Sequence, residues 1–358
     1  MRRGKVAVFS PNGIEITFET CPRPQPDELV TRMVVAGICG SDVHRVAGDI
    51  APTATPICFG HEAVGKILEI GESIKEDRLG NAISVGDMVY WCPSTPCGTC
   101  RECASRNPIL CSQLNWPVPA GGPNAAGFRE YATLSNRCIF VRLPVNVSPL
   151  AVIAFGCAMP TAIRGFSKIN SICAETDIVI QGSGPVGLAC TLLASLSHAR
   201  SITVIGDPQQ RLQAATTLGA TQVISLSRTT EEERADFIRK VTGGRGAAVL
   251  IEAAGAPNAF TEGLHLLGMN GQYLILGLYS GSARCAIDPV RLNNLNQQII
   301  GSLGLDLADY HQTVRIASMY GESRRLADLV THKFNLDNLE EAIATVSKGI
   351  SVKAIVTP

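Results

Sequence analysis

The stretch DIVIQGSGPVGLACTLLASLSHARSITVIGD (177–207) leaves this chain few options. A β-branched run leads into Gly182, Gly184 and Gly187 at G-x-G-x-x-G spacing; an apolar helical run and a second β-branched run follow, ending at Asp207. That order predicts strand, tight turn, helix and a second strand parallel to the first. The first glycine permits the turn, the second lets a pyrophosphate approach the backbone, and the third allows close helix–strand packing. Pro185 and Val186 complete the turn, and the free N–H groups and dipole of the helix start suit phosphate. Asp207 stands twenty residues beyond Gly187, where a carboxylate takes the adenosine ribose hydroxyls and repels an extra phosphate. This favours NAD over NADP, with Arg211 a further candidate contact.

The same grammar continues downstream. RLQAATTLGATQVISL reads as helix then strand, AAVLIEAAG as strand, and FTEGLHLLGMNGQYLILGL as helix then strand. Strands alternating with helices predict an α/β domain with a doubly wound parallel sheet over 156–294. Before it, KVAVF, LVTRMVVAGI, AVGKILEIG and DMVYW are short strand-like runs among prolines and turns, so 1–155 reads as a β-rich domain with long loops. After about 295, IIGSLG, a helix around 308–323 and LEEAIATVSKGISVKAIVTP read as a return to that first domain. QYLILGLYSG followed by RCAIDPV is expected to give the parallel sheet an edge strand that pairs across subunits, hence a homodimer or homotetramer.

Composition narrows the partners. Lys plus Arg and Asp plus Glu both number 31, so the formal net charge is zero. The longest acidic run, EEE at 231–233, reads as a solvated helix start. Neither nucleic acid nor a membrane surface is expected to bind. MRRGKVAVFS has too short an apolar run for a secretory signal, and 177–197 is broken by Gln181, Ser183 and glycines. A soluble, cytoplasmic protein is the expectation.

Thirteen cysteines are present, four of them in CGTCRECASRNPILC (97–111). In a reducing compartment such a cluster points to metal before disulfides. The spacing C-x2-C-x2-C-x7-C, of Cys97, Cys100, Cys103 and Cys111, is that of metal ligands, and four thiolates close the shell against water and substrate. A redox pair would open a helix in the βαβ half. A DNA-reading finger would need a basic helix, whereas only Arg101 and Arg106 lie nearby. Cys92, just upstream, reads as non-ligating. Elsewhere GICGSDVH carries Cys39, Ser41, Asp42 and His44, FGHEAVG carries His61 and Glu62, and AFGCAMPTA carries Cys157. Each alone is unremarkable.

Taken together with VGDMV (85–89), GFREYA (127–132), the glycine turn and the closing SVKAIV, these segments resemble, in order and over essentially the whole chain, the zinc-dependent medium-chain alcohol dehydrogenase family. The resemblance implies a GroES-like catalytic domain with a structural zinc lobe at about 92–115, a Rossmann domain, two zinc ions per chain and NAD. It implies that Cys39, His61 and Cys157 hold the catalytic zinc and leave a fourth position open, a ligand set for which alcohol dehydrogenase is itself the standard case. Cys157 precedes Gly182 by twenty-five residues, matching the family spacing. Glu62 is then a neighbouring carboxylate or transient ligand, and Asp42 the acceptor that fixes the His61 tautomer. The chemistry implied is Lewis-acid oxidation of an alcohol, with Ser41 taking the hydroxyl proton and passing it through the nicotinamide ribose to His44 while hydride goes to NAD⁺. Thr161 matches a position near the nicotinamide and Lys353 one near the pyrophosphate.

Substrate recognition is expected in two loops, KEDRLGNAIS (75–84) and SQLNWPVPAGGPNAAGF (112–128), with Phe59, Trp91, Trp116 and Met159 as candidate pocket walls. An apolar pocket favours a hydrophobic secondary or cyclic alcohol, terpenoid alcohols included, over a polyol. Competing readings are an NADPH-dependent carbonyl reductase of the same family and a non-catalytic zinc-binding scaffold.

Overall fold

The computed structural model describes residues 2–50, 55–115, 118–121, 124–277 and 284–358. The chain forms two compact units, Met1–Pro160 with Gly304–Pro358, and Thr161–Leu303.

In the second unit, six parallel strands lie in the order Gln222–Ser225, Ser201–Gly206, Asp177–Gln181, Ala247–Glu252, Leu267–Ile275, Gln298–Gly301. The first two-stranded step is the predicted one: Asp177–Gln181 pairs with Ser201–Gly206 across the helix Pro185–Leu196. All five residues of Asp177–Gln181 are buried, which is why that strand is apolar without alternation. Val179, Ile205, Leu250, Phe260 and Tyr273 pack together in the core beside the sheet. Two expectations shift here. Gln298–Gly301 is still the sixth strand of this sheet, so the chain leaves the unit after Leu303 and not at 294. Among the described residues that same strand is one of the sheet's two edges; Leu267–Ile275 is flanked on both sides, and the YSG segment at 279–281 lies outside the described residues. At the other boundary, the division falls between Pro160 and Thr161, inside the helix Ala158–Phe166, and not at the junction expected at 156.

The first unit holds a seven-stranded sheet, ordered Val330–Asn335, Lys353–Thr357, Glu28–Gly37, Ala63–Ile70, Met88–Cys92, Ile139–Arg142, with Tyr131–Ser135 also paired to Glu28–Gly37. A second, four-stranded sheet contains Arg3–Ser10 and Gly13–Thr20. Closing residues Lys353–Thr357 run antiparallel to Glu28–Gly37, so the last strand pairs with one laid down at the start. Phe59 and Trp91, two of the candidate pocket walls, are buried in the core of this unit. Phe59 packs against the rings of Phe9 and Phe128 at 5.9 and 5.0 Å, and Trp91 donates its indole N–H to the Ala125 carbonyl at 2.7 Å. The loop 75–84 also departs from expectation. Buried Asp77 takes the N–H groups of Leu79 and Asn81 and that of Arg142 on a neighbouring strand, while Ile74 and Ile83 enter the core. It is a self-closed turn fixed to the sheet. Among the described residues no helix is long and apolar enough to cross a membrane.

Candidate metal centre and dinucleotide turn

Three sequence-distant segments end at one point in the first unit. Cys39 follows the strand Glu28–Gly37 and caps the helix Gly40–Val46; His61 and Glu62 precede the strand Ala63–Ile70; Cys157 sits between the helices Pro149–Ile153 and Ala158–Phe166. One ligand atom from each of Cys39, His61, Glu62 and Cys157 lies within 4.8 Å of all the others. The Cys39 and Cys157 sulfurs are 3.4 Å apart. Tetrahedral zinc with Zn–S of about 2.3 Å needs sulfurs about 3.8 Å apart, so the donor set and its spacing fit that ion.

Asp42 ties two of these groups. One carboxylate oxygen accepts the Cys39 N–H at 2.9 Å and the other lies 3.4 Å from His61 Nδ1. His61 Nε2 is thereby turned toward the sulfurs, with Ser41 Oγ at 3.4 Å. Burial alone lowers the imidazole, but Asp42 and Cys39 outweigh it and hold His61 well above its usual value. The two thiols split: the bond from Cys157 draws Cys39 well down, while Cys39 and burial push Cys157 well up. A metal dication held by the two sulfurs would bind them as thiolates and displace their protons. His44 pairs with Asp49 at 2.8 Å, its side chain 46 % exposed, on the solvent side of the same short helix.

Glu62 is 1 % exposed and fully engaged. Its Oε1 accepts the Cys157 N–H at 3.0 Å and its Oε2 lies 2.5 Å from Lys353 Nζ, which also donates to the Ile38 carbonyl at 3.1 Å. Burial works against the ammonium, but Glu62 keeps it above the ordinary lysine range and charged. This corrects the expectation for Lys353. Its side chain is buried in the first unit against Glu62, not presented to a pyrophosphate. A cradle of two glycines makes the room: a Cβ at Gly37 or at Gly156 would sit 2.1 Å from Glu62 Oε2. Gly156 also has φ +51°, in the left-handed region. The sequence carried these glycines without revealing what they clear space for.

The four-cysteine lobe is a second candidate metal cluster. The sulfurs of Cys97, Cys100, Cys103 and Cys111 lie within 4.8 Å of one another. Backbone N–H groups point at them: Thr99 and Cys100 at Cys97, Cys97 and Gln113 at Cys111, all 3.3 to 3.5 Å. The N–H groups of Thr99 and Cys100 pull Cys97 down to about 6, whereas burial and Cys100 push Cys103 up to about 12. Cys92 stands apart, its sulfur 3.1 Å from Ser94 Oγ. Arg106 of this lobe holds Asp306, the cap of the helix Leu307–Tyr320, at 2.9 Å.

In the second unit, Gly182 has φ +107° and a Cβ at Gly187 would strike the Gly182 carbonyl at 1.9 Å, so both positions admit only glycine. Gly184 caps the helix that Pro185 and Val186 begin, and nothing lies within 4 Å of its missing Cβ. That opening is where the fingerprint expects a pyrophosphate. Asp207 follows the second strand, its carboxylate taking Ser225 Oγ at 2.8 Å and the Ser227 N–H at 2.7 Å. Ser183 of the glycine turn donates to the Asp207 carbonyl at 2.9 Å, so both halves of the fingerprint are stitched together. Arg211 lies on the next helix, half-buried, and burial lowers its guanidinium. Thr161 falls in the helix Ala158–Phe166 beside fully buried Met159. Trp116 lies outside the described residues.

Comparison with known proteins agrees with this geometry. Residues 25–145 match the family described as alcohol dehydrogenase GroES-like domain, and residues 185–318 match zinc-binding dehydrogenase. The chain is 37 % identical over 333 residues to 5-exo-hydroxycamphor dehydrogenase of Pseudomonas putida, covering 93 % of this chain and 92 % of that one. It is 29 % identical over 349 residues to L-threonine 3-dehydrogenase of Paraburkholderia phymatum, covering 96 % and 95 %. An alcohol dehydrogenase structure from Thermotoga maritima superposes with a TM-score of 0.92 at 25 % identity, covering 100 % of both chains. With its GroES-like and Rossmann folds, its cysteine-rich metal clusters and these relatives, the chain belongs to the zinc-dependent medium-chain alcohol dehydrogenase family.

Proposed function

We propose that this dehydrogenase oxidises an apolar secondary or cyclic alcohol to the ketone with NAD⁺, using one zinc ion at Cys39, His61 and Cys157 and a second, closed one at Cys97, Cys100, Cys103 and Cys111. The observation that carries the reading is the convergence of Cys39, His61, Glu62 and Cys157 in one unit, with a four-thiol cluster separate from it. A zinc ion held by the first set supplies Lewis-acid polarisation of the alcohol oxygen. The chain supplies the rest. Asp42 orients His61 so that Nε2 faces the metal. Glu62, occupied by Lys353 and the Cys157 N–H, acts as a neighbouring carboxylate that leaves the fourth position to substrate. Ser41 takes the hydroxyl proton and His44, half exposed and paired with Asp49, returns it to solvent. The glycine turn and helix start bind the pyrophosphate, and Asp207 takes the adenosine ribose. Overall, the alcohol gives a hydride to NAD⁺ and a proton to water. The preference for a cyclic alcohol is supported by the hydroxycamphor dehydrogenase relative.

The test is a panel of cyclic, linear and polyhydroxy alcohols, followed by NADH absorbance, with zinc content measured alongside. The reading expects two zinc ions per chain, the highest kcat/KM on cyclic secondary alcohols, and NAD⁺ preferred to NADP⁺. A polyol or amino-alcohol preference would overturn the substrate class. An NADP⁺ preference would overturn the role of Asp207.

A further inference from the structure

We propose that Tyr90 is a positioning residue for the catalytic metal: its hydroxyl fixes the Gly156–Cys157 peptide and, through it, the Cys157 sulfur. The inference rests on Cys157 being a ligand of that metal. The reason begins in the sequence GCAMP (156–160). Gly156 lies in the turn before the helix Ala158–Phe166, so its carbonyl stands outside the intrahelical hydrogen-bond ladder, which begins at the residue flanking the helix. Four residues after Gly156 stands Pro160, which has no N–H to give. Gly156 sits at φ +51° with its N–H on the Val152 carbonyl at 3.3 Å, which leaves the rotation of the peptide that follows it to be set by other partners.

The peptide between Gly156 and Cys157 is instead gripped at both edges. Its carbonyl takes the Tyr90 hydroxyl at 2.9 Å, and its N–H goes to Glu62 Oε1 at 3.0 Å. Two hydrogen bonds on opposite edges fix the rotation of a peptide plane, and that rotation sets where Cys157 points its sulfur. Tyr90 is suited to the task. It is fully buried on the strand Met88–Cys92, and its ring stacks on Tyr310 at 4.5 Å and 26°. Tyr310 comes from the helix Leu307–Tyr320, whose cap Asp306 is held by Arg106 of the four-cysteine lobe. The hydroxyl is thus carried by a ring with no freedom to swing. Read as sequence, Tyr90 is one more apolar residue in DMVYW.

The experiment compares Tyr90→Phe with Tyr310→Phe in the full-length protein. Both keep the stacked rings; only the first removes the bond to Gly156. Zinc is competed away with a chelating dye, Co²⁺ is introduced at the exchangeable position, and the metal-free proteins are melted in parallel. Tyr90→Phe is expected to hold the exchangeable metal about 10–100-fold more weakly, the range for residues that orient a ligand. Its cobalt–thiolate absorption is expected to shift, while Tyr310→Phe matches the parent in both readouts. Equal metal affinity and an unshifted cobalt spectrum in Tyr90→Phe overturn the proposal, as does an equal loss in Tyr310→Phe. A parent protein that takes metal only at the four cysteines sinks the reading of the catalytic centre, and this inference with it.

Discussion

The pair Glu62–Lys353 allows a sharp test, because both side chains are 1 % exposed and solvent screening cannot blur the result. Replacing Lys353 with Met keeps the length of the stem and removes the charge. Glu62 is then left as a buried carboxylate with one N–H partner, and the Ile38 carbonyl loses its donor. Breaking a buried ion pair from one side costs about 3–5 kcal/mol. For a body of this size each kcal/mol moves the melting point by about 2–4 °C, so the unfolding step of the first unit should fall by roughly 6–20 °C. Removing both charges, as Lys353→Met with Glu62→Gln, leaves no orphan ion and should recover most of that loss.

Two internal controls follow from the same geometry. Zinc at Cys39, His61 and Cys157 brings a dication beside Glu62, so the loss in Lys353→Met should be smaller with metal than after chelation. Lys353 is held above its ordinary value, so its contribution is fully present below the unfolded-state pKa of about 10.4 and lost only as pH rises through the folded-state value. The difference between parent and Lys353→Met should therefore be flat from roughly pH 6 to 9. The assay is calorimetry on the chelated and zinc-loaded forms of the parent, both single variants and the double variant. A single variant within about 1 kcal/mol of the parent, or a double variant no better than the single, refutes the argument.

Three other expectations concern neighbouring features. Gly156→Ala drives a Cβ to 2.1 Å from Glu62 Oε2 at a residue with φ +51°, so dye competition should show loss of the exchangeable zinc while the four-cysteine zinc stays. Asp207→Ala removes the acceptor of Ser225 and Ser227 and the proposed ribose partner; kcat/KM for NAD⁺ should fall about 10–100-fold, with discrimination against NADP⁺ reduced. Arg106→Ala loses the bond to Asp306, but Arg106 is largely exposed, so calorimetry should register about 1 kcal/mol or less and no change in zinc content.

Much of the fold was legible because it is written in periodicity and punctuation. The glycine turn and the alternating runs specify a parallel sheet whose strands are covered on both faces, and covered strands read as unbroken apolar segments. Cys39, His61 and Cys157 could be selected as a set only through the resemblance, since nothing in their separate segments says that they meet. Where side chains lie otherwise than their sequence context suggests, one cause recurs. Trp91, Phe59 and Lys353 are residue types that fit both a pocket and a core, and only tertiary contacts decide between them. Lys353 went to a buried carboxylate because Gly37 and Gly156 open a space there, a reason that no local pattern contains. The loop 75–84 reads as available for substrate, but Asp77 ties it to Arg142, sixty-five residues away.

The two candidate metal clusters also differ in how far the chain must close to make them, and that difference should be visible in refolding. The lobe collects its four ligands within 97–111, so its metal can bind as soon as one short loop closes. The other set spans Cys39 to Cys157 and is braced by Lys353 and, through Tyr90, by Tyr310; both come from the segment that follows the second unit. It cannot be complete until the last strand, Lys353–Thr357, has paired with Glu28–Gly37. Contacts of such long sequence separation form late. Refolding the metal-free chain in Co²⁺ should therefore give two absorption phases, a fast four-thiolate signal and a slower two-thiolate one, the slower tracking recovery of activity. Lys353→Met should delay or diminish only the second. A single phase, or the two-thiolate signal arriving first, would mean that the Cys39–His61–Cys157 set organises itself without its late-arriving supports.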